Sequence, residues 1–173
     1  QLAMGLGNDH IDIANGTTNV NMGPGNDTAV ATGGSNTFEM EDGADNVSIL
    51  GGANNINTGP DDDSVSVSSG KNIINTSFDN DTVNISGGTN TLKTGGGDDI
   101  VSLTGGTNDI DVGAGNDTVT ASGGASNINI TSLLGGSGND TLNIVSTGTV
   151  TLPTFVGFEQ VHISDTVHQS LNF

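Results

Sequence analysis

The chain has no cysteine, so neither a disulfide nor a thiolate metal site can hold it together. Tryptophan and tyrosine are also missing; aromatic residues make up 3% of the chain and hydrophobic residues 31%. A globule of 173 residues would carry a broader apolar core than that. Basic residues stop at Lys71 and Lys93, and against 20 aspartates and glutamates they leave a formal net charge of −18. Phosphate contact needs cationic side chains, so nucleic acid is excluded as a partner, and an anionic membrane surface with it. No apolar run reaches transmembrane length, so membrane insertion is not expected, and no charged-plus-apolar leader opens the chain.

What the chain has is glycine, 28 residues of it, and a period. Seven units of 18 residues run without a gap from Met4 to Asn129, and an eighth starts at Gly135. The sixth position of every unit is an aspartate: Asp9, Asp27, Asp45, Asp63, Asp81, Asp99, Asp117 and Asp140. A fixed period this short predicts a solenoid, each repeat one coil stacked on the last. Positions eight and ten are apolar (Val47 and Ile49, Val101 and Leu103) and position nine is mostly polar, the alternation of a half-buried strand. A Gly-Gly turn follows. A second short strand then carries one inward apolar residue at position seventeen: Val20, Phe38, Ile56, Ile74, Leu92, Ile110 and Ile128. The expected fold is all-β, a parallel β-roll or β-solenoid of about eight such coils with a C-terminal cap. The roll is expected over 1–152, with coils from residue 4 and an outward-bulging insertion at 130–134; 153–173 forms the cap, with Phe155, Phe158 and Phe173 over the last coil. Gln1, Leu2 and Ala3 fit the end of a preceding coil, so the array is expected to continue upstream.

Stacking turns a repeat position into a column. Aspartates about 4.8 Å apart repel one another unless counter-ions intervene. About seven divalent ions between eight coils would bring the charge from −18 to roughly −4. With thiolates ruled out, the carboxylate and carbonyl oxygens that remain favour calcium, then magnesium, over zinc or copper. Glycines at positions two and four (Gly5, Gly7, Gly23, Gly25, Gly95, Gly97, Gly113, Gly115, Gly136 and Gly138) allow unusual dihedrals that aim carbonyls at one point. Three coils depart from this: Glu41 in the third, Asp61 in the fourth, Ser77 and Asp79 in the fifth. Aspartate visits the left-handed region at moderate cost, whereas Glu41 is harder to place, and its site is expected to be weak, empty or altered. On the other edge, Asn36, Asn54, Asn72, Asn90 and Asn108 recur nine residues after an aspartate, and their amides are expected to form a hydrogen-bonded ladder. The run Asp61-Asp62-Asp63 could pair carboxylates for catalysis. However, Asp63 belongs to the column and its neighbours fill turn positions, so no enzyme activity is expected. His10, His162 and His168 stand alone and are read as surface or cap residues.

Five coils carry x-Gly-x-Gly-x-Asp-x-U-x intact, U being a large apolar residue: GLGND (5–9), GPGND (23–27), GGGDD (95–99), GAGND (113–117) and GSGND (136–140). This resembles the G-G-x-G-x-D-x-U-x nonapeptide of the RTX (repeats-in-toxin) family, over Met4 to Leu152. The GFEQVHIS stretch resembles the segment that commonly follows such arrays. The resemblance implies a calcium-filled β-roll with ions between adjacent coils, bound by turn carbonyls and by Asp9, Asp27, Asp45, Asp63, Asp81, Asp99, Asp117 and Asp140. The family's second nonapeptide has asparagine for aspartate here, so a single row of Ca2+ ions is expected.

The function expected is that of a calcium-binding structural module that folds on Ca2+ binding. It would belong to a larger secreted or bacterial cell-surface protein of adhesin, surface-layer or toxin type. The resemblance further implies export unfolded by type I secretion. Besides calcium, its partners would be neighbouring domains of the same chain or further copies at the cell surface. The alternatives are an ice- or carbohydrate-surface-binding RTX domain and an accessory module of a secreted enzyme. Ice binding requires matched threonine or asparagine columns. Position five is mostly asparagine, but position three reads Leu6, Pro24, Asp42, Pro60, Phe78, Gly96, Ala114, Ser137, and that mixture weighs against it.

Overall fold

The computed structural model describes residues 1–124, 127–145 and 148–164; Phe173 and His168 lie outside the described residues. The chain winds into a parallel β-solenoid with two sheets, and no helix occurs among the described residues. One sheet stacks the first strand of each coil: His10–Ile13, Thr28–Ala31, Asn46–Ile49, Ser64–Val67, Thr82–Ile85, Ile100–Leu103, Thr118–Ala121, Thr141–Ile144 and Gln160–Ile163. The facing sheet stacks Leu2–Ala3, Thr17–Asn21, Ser35–Glu39, Ala53–Asn57, Lys71–Asn75, Thr89–Lys93, Gly106–Asp111, Ile128–Leu134 and Val150–Thr151, with Phe155–Val156 also paired to Ile128–Leu134.

Pairing is in register at the repeat period, so Val65 lies beside Val83 and Val83 beside Val101. Equivalent repeat positions therefore pile on one another, apolar on apolar, which keeps the register single: a one-residue slip would turn the inward apolar residues outward. The core is thin. It is filled from one sheet by pairs such as Val47 and Ile49, and from the other by Val20, Phe38, Ile56, Ile74, Leu92 and Ile110. Position one adds a buried column, Met22, Met40, Thr58, Thr76, Thr94 and Val112. The three threonines satisfy their hydroxyls by donating to the carbonyl of the next residue in the column, Thr94 to Val112 at 2.8 Å.

Two expectations need correction. The extra residues of the seventh coil do not bulge outward at 130–134. Gly106 pairs with Ile128 and Asn108 with Ile130, then the register slips so that Asp109 meets Ser132 and Ile110 meets Leu133. Most of the additional length thus precedes Ile128, and the remainder is a bulge at Thr131, whose hydroxyl donates to the Asn108 carbonyl. Leu133, not Ile128, consequently holds the inward slot beside Ile110; both are buried. Burying three apolar side chains of this strand, Ile128, Ile130 and Leu133, favours the bulge over a strand looped into solvent.

The winding also continues past Leu152. Pro153, which lacks an N–H, interrupts the second strand of the eighth coil between Val150–Thr151 and Phe155–Val156. Gln160–Ile163 then adds a further parallel strand beside Thr141–Ile144. Phe155 and Phe158 meet edge to face with ring centroids 6.3 Å apart and pack on the end of the core.

A candidate metal row on the glycine-aspartate edge

The turn that opens each coil demands dihedrals few residues accept. Position-two and position-four glycines all have positive φ, up to 146° at Gly25 and 143° at Gly115 and Gly138. The reason lies in the neighbouring coil. A Cβ built on Gly23 would stand 1.9 Å from the Gly5 carbonyl oxygen, and one on Gly115 1.8 Å from that of Gly97. Carbonyl oxygens of one coil therefore point at the α-carbons of the next, and line the gap between them. Glu41, Asp61, Ser77 and Asp79 also take positive φ, of 72–82°, and the carbonyls of Glu41, Ser77 and Asp79 approach Gly59, Gly95 and Gly97 as closely as glycine carbonyls do elsewhere, about 2.0 Å from a built Cβ. In two places the substituted side chain replaces the missing acceptor. Gly25 N–H donates to the Asp42 carbonyl, but Gly43 N–H donates to Asp61 Oδ2 at 3.0 Å and Asp61 N–H to Asp79 Oδ2 at 3.2 Å. The Glu41 carboxylate turns aside and accepts from Asn21 Nδ2.

The eight aspartates form one column. Asp9 N–H donates to Asp27 Oδ1 at 2.7 Å, and the same bond repeats up the stack to Asp117 N–H and Asp140 Oδ1 at 2.9 Å. Each carboxylate thereby locks to the coil below through one oxygen. The other oxygen, Oδ2, is buried without a hydrogen-bond partner in all eight aspartates. Eight orphaned anionic oxygens in a row are costly, because a buried charge must be paired or neutralised. Burial, reinforced by neighbouring carboxylates, pushes Asp45, Asp81 and Asp117 up to about 7 and Asp63 to about 6, and raises Asp27, Asp99 and Asp140. Backbone N–H donors from the coil below pull the other way.

These residues fit a hard divalent cation. Among the described residues no three Asp, Glu or His side chains converge on one point, so a cation in a gap must take most of its oxygens from turn carbonyls. Turn carbonyls approach the next coil along most of this edge, and each column aspartate offers one oxygen with no other partner. When bound, calcium supplies the positive charge that the column lacks.

A pH dependence follows from the raised values. Metal-free, a carboxylate whose folded pKa exceeds its unfolded 3.8 stabilises the fold fully below that value, and this contribution is lost as pH rises through 6 to 7. Chelated protein is therefore expected to hold its fold better at about pH 4, and to lose it as pH rises toward about 8. Thermal scans in chelator check this; a melting temperature that rises with pH would contradict it.

The opposite edge is neutral. Asn36 Nδ2 donates to Asn54 Oδ1 at 2.9 Å, and the bond recurs from Asn54 to Asn72, Asn72 to Asn90 and Asn90 to Asn108. Each amide also donates to the carbonyl three residues earlier. The ladder stops at Asn108 because the next residue in that register is Ile130.

Sequence reasoning missed two features. One is a second, exposed ladder at position five, in which Asn80 N–H donates to Asp62 Oδ1, Asp98 N–H to Asn80 Oδ1 and Asn116 N–H to Asp98 Oδ1. The other is Glu159, whose Oε2 accepts from Asp140 N–H at 2.8 Å and so occupies the place a ninth aspartate would take. Its signal was faint: a glutamate followed by the alternation of Val161 and Ile163. The run Asp61-Asp62-Asp63 is engaged in inter-coil hydrogen bonds, each carboxylate accepting a backbone N–H. His10 pairs with Asp12 at 3.3 Å on the surface, and His162 Nδ1 lies 3.0 Å from Asn143 Oδ1.

A family model for the RTX calcium-binding nonapeptide repeat (4 copies) matches residues 23–48, 48–83, 85–119 and 132–143, together more than half of the chain. No curated protein matches. Among solved structures, the chain resembles a hyperactive, Ca2+-dependent, beta-helical antifreeze protein from an Antarctic bacterium, at 23% identity and a TM-score of 0.60. That match covers 98% of this chain and 64% of the antifreeze chain, so the chain spans somewhat under two thirds of that structure. At this identity the likeness is one of fold.

Proposed function

The chain belongs to the RTX calcium-binding nonapeptide repeat family, and from that premise we propose that it is a non-catalytic structural module, built to fold outside the cell when calcium fills the gaps of its aspartate column. The carrying observation is the unpartnered, buried Oδ2 of every column aspartate. Asp9, Asp27, Asp45, Asp63, Asp81, Asp99, Asp117 and Asp140 act as the anionic ligands, and the glycine turns supply carbonyls. Weak extracellular-type calcium sites have dissociation constants of about 10⁻⁴–10⁻³ M, far above cytosolic calcium, so the module stays open inside the cell and closes after secretion. A stiff, acidic rod of this kind suits a spacer or surface segment of an adhesin, surface-layer protein or toxin.

Asp99→Ala and Asp117→Ala test the reading. Each removes an anionic oxygen and the acceptor for the N–H of Asp81 or Asp99. The calcium midpoint of folding is expected to rise about tenfold, equivalent to roughly 1.4 kcal/mol. Unchanged titrations in both variants would remove these residues from the ligand set.

An ice-binding role, which the antifreeze neighbour invites, is not part of the proposal. The column at position three mixes Leu6, 87% exposed, with Phe78, 67% exposed, and with proline, glycine and aspartate. No regular lattice of hydroxyls lines that edge.

A further inference from the structure

The eighth coil should leave Asp140 with nothing above it, because the glycine-rich turn is not repeated after it. Six residues, 135–140, lie between Leu134 and Thr141, but only three, 157–159, lie between their partners Val156 and Gln160. The Gly-x-Gly-x segment is missing from this last turn. What remains is Gly157, with φ of 82°, then Phe158 and Glu159. Glutamate is one methylene longer than aspartate, and that extra reach lets its carboxylate meet Asp140 N–H at 2.8 Å from the shorter turn.

Three oxygens gather here. Asp140 Oδ2 is buried and unpartnered. Below it, position one is Gly135, where earlier coils place methionine, threonine or valine. A Cβ built on Gly135 would lie 2.8 Å from Asp140 Oδ2 and 2.1 Å from the Gly157 carbonyl oxygen, so both oxygens face the space that a side chain would fill. Glu159, hydrogen-bonded to Asp140 N–H, brings a second carboxylate against the first.

We infer that Asp140 Oδ2, the Gly157 carbonyl and the Glu159 carboxylate form a terminal calcium site that closes the row without the nonapeptide turn. The inference rests on the reading of the column as a calcium row and adds one gap to it, between Asp140 and Glu159. The site ties Gln160–Ile163, the last strand among the described residues, to the stack, so it also serves as a calcium-dependent latch on that strand.

Glu159→Gln is the test. The amide oxygen still accepts from Asp140 N–H, so a purely hydrogen-bonding role would survive, whereas the anionic ligand is lost. Calcium bound at saturation is counted by equilibrium dialysis, and amide exchange is followed over 160–163 with and without calcium. The wild-type chain is expected to bind one ion more than the variant, and the variant to lose calcium-dependent protection of 160–163 by about tenfold while earlier coils keep theirs. Glu159→Asp, too short to reach from this turn, is expected to behave like the glutamine variant. Equal ion counts with equal protection in wild type and Glu159→Gln would overturn the terminal site and leave the row standing. A wild-type chain that takes up no calcium would overturn both.

Discussion

Calcium added to the chelated chain at neutral pH is expected to convert a disordered circular dichroism spectrum into that of a parallel sheet, and excess chelator to reverse the change. The argument begins with charge. The chain carries −18 with two basic residues to offset its acids, and its column of aspartates is buried. Folding without cations concentrates like charge where water cannot screen it. Binding acts in the opposite sense through mass action. With free calcium at ten times the dissociation constant, one site contributes about 1.4 kcal/mol, and seven contribute roughly 10 kcal/mol. That is the whole stability of an ordinary domain, about 5–15 kcal/mol, so removing the ions removes the fold. Because each coil touches only its neighbours, the transition should also be cooperative in calcium, with each closed gap organising the carbonyls of the next. A chelated sample with the same spectrum and melting temperature as a calcium-loaded one would refute the account.

The sequence made the column legible because a solenoid converts spacing directly into position. Val65, Val83 and Val101 are one repeat apart and lie side by side, and the same arithmetic stacks the aspartates. The arithmetic fails where the period does. In the seventh coil Gly123-Gly124 looks like the turn of its predecessors, so a count from it assigns Ile128 to the inward slot of Ile110. Pairing assigns that slot to Leu133, since three apolar residues compete and spacing alone cannot rank them. Glu159 was hidden for a related reason. It stands 19 residues after Asp140, behind a shortened turn, and is a glutamate where the pattern asks for aspartate. Glu41 illustrates a third limit. Side-chain identity forecasts strain, but the coils on either side impose the backbone, and Glu41 follows the path of Gly23 and Gly59 at φ of 73°.

Gly95-Gly96-Gly97 separates composition from geometry, and it supports the other large effect expected. Three identical residues sit in one turn. A Cβ on Gly97 would meet the Asp79 carbonyl oxygen at 2.0 Å with φ of 129°, outside any basin open to alanine. Gly96 has no positive φ, and its Cβ would find the nearest atoms at 3.7 and 3.8 Å, ordinary contact distance. Gly97→Ala must therefore push two coils apart or rotate the turn, and either movement redirects carbonyls that line the gaps next to Asp81 and Asp99. A cost of about 3 kcal/mol or more is expected, together with a higher calcium midpoint. Gly96→Ala is expected to stay within about 0.5 kcal/mol of the parent, with an unchanged midpoint. Urea unfolding of both variants in saturating calcium measures the difference. Equal costs would mean that the coils are not stacked carbonyl against α-carbon, and the cage of backbone oxygens would go with that geometry.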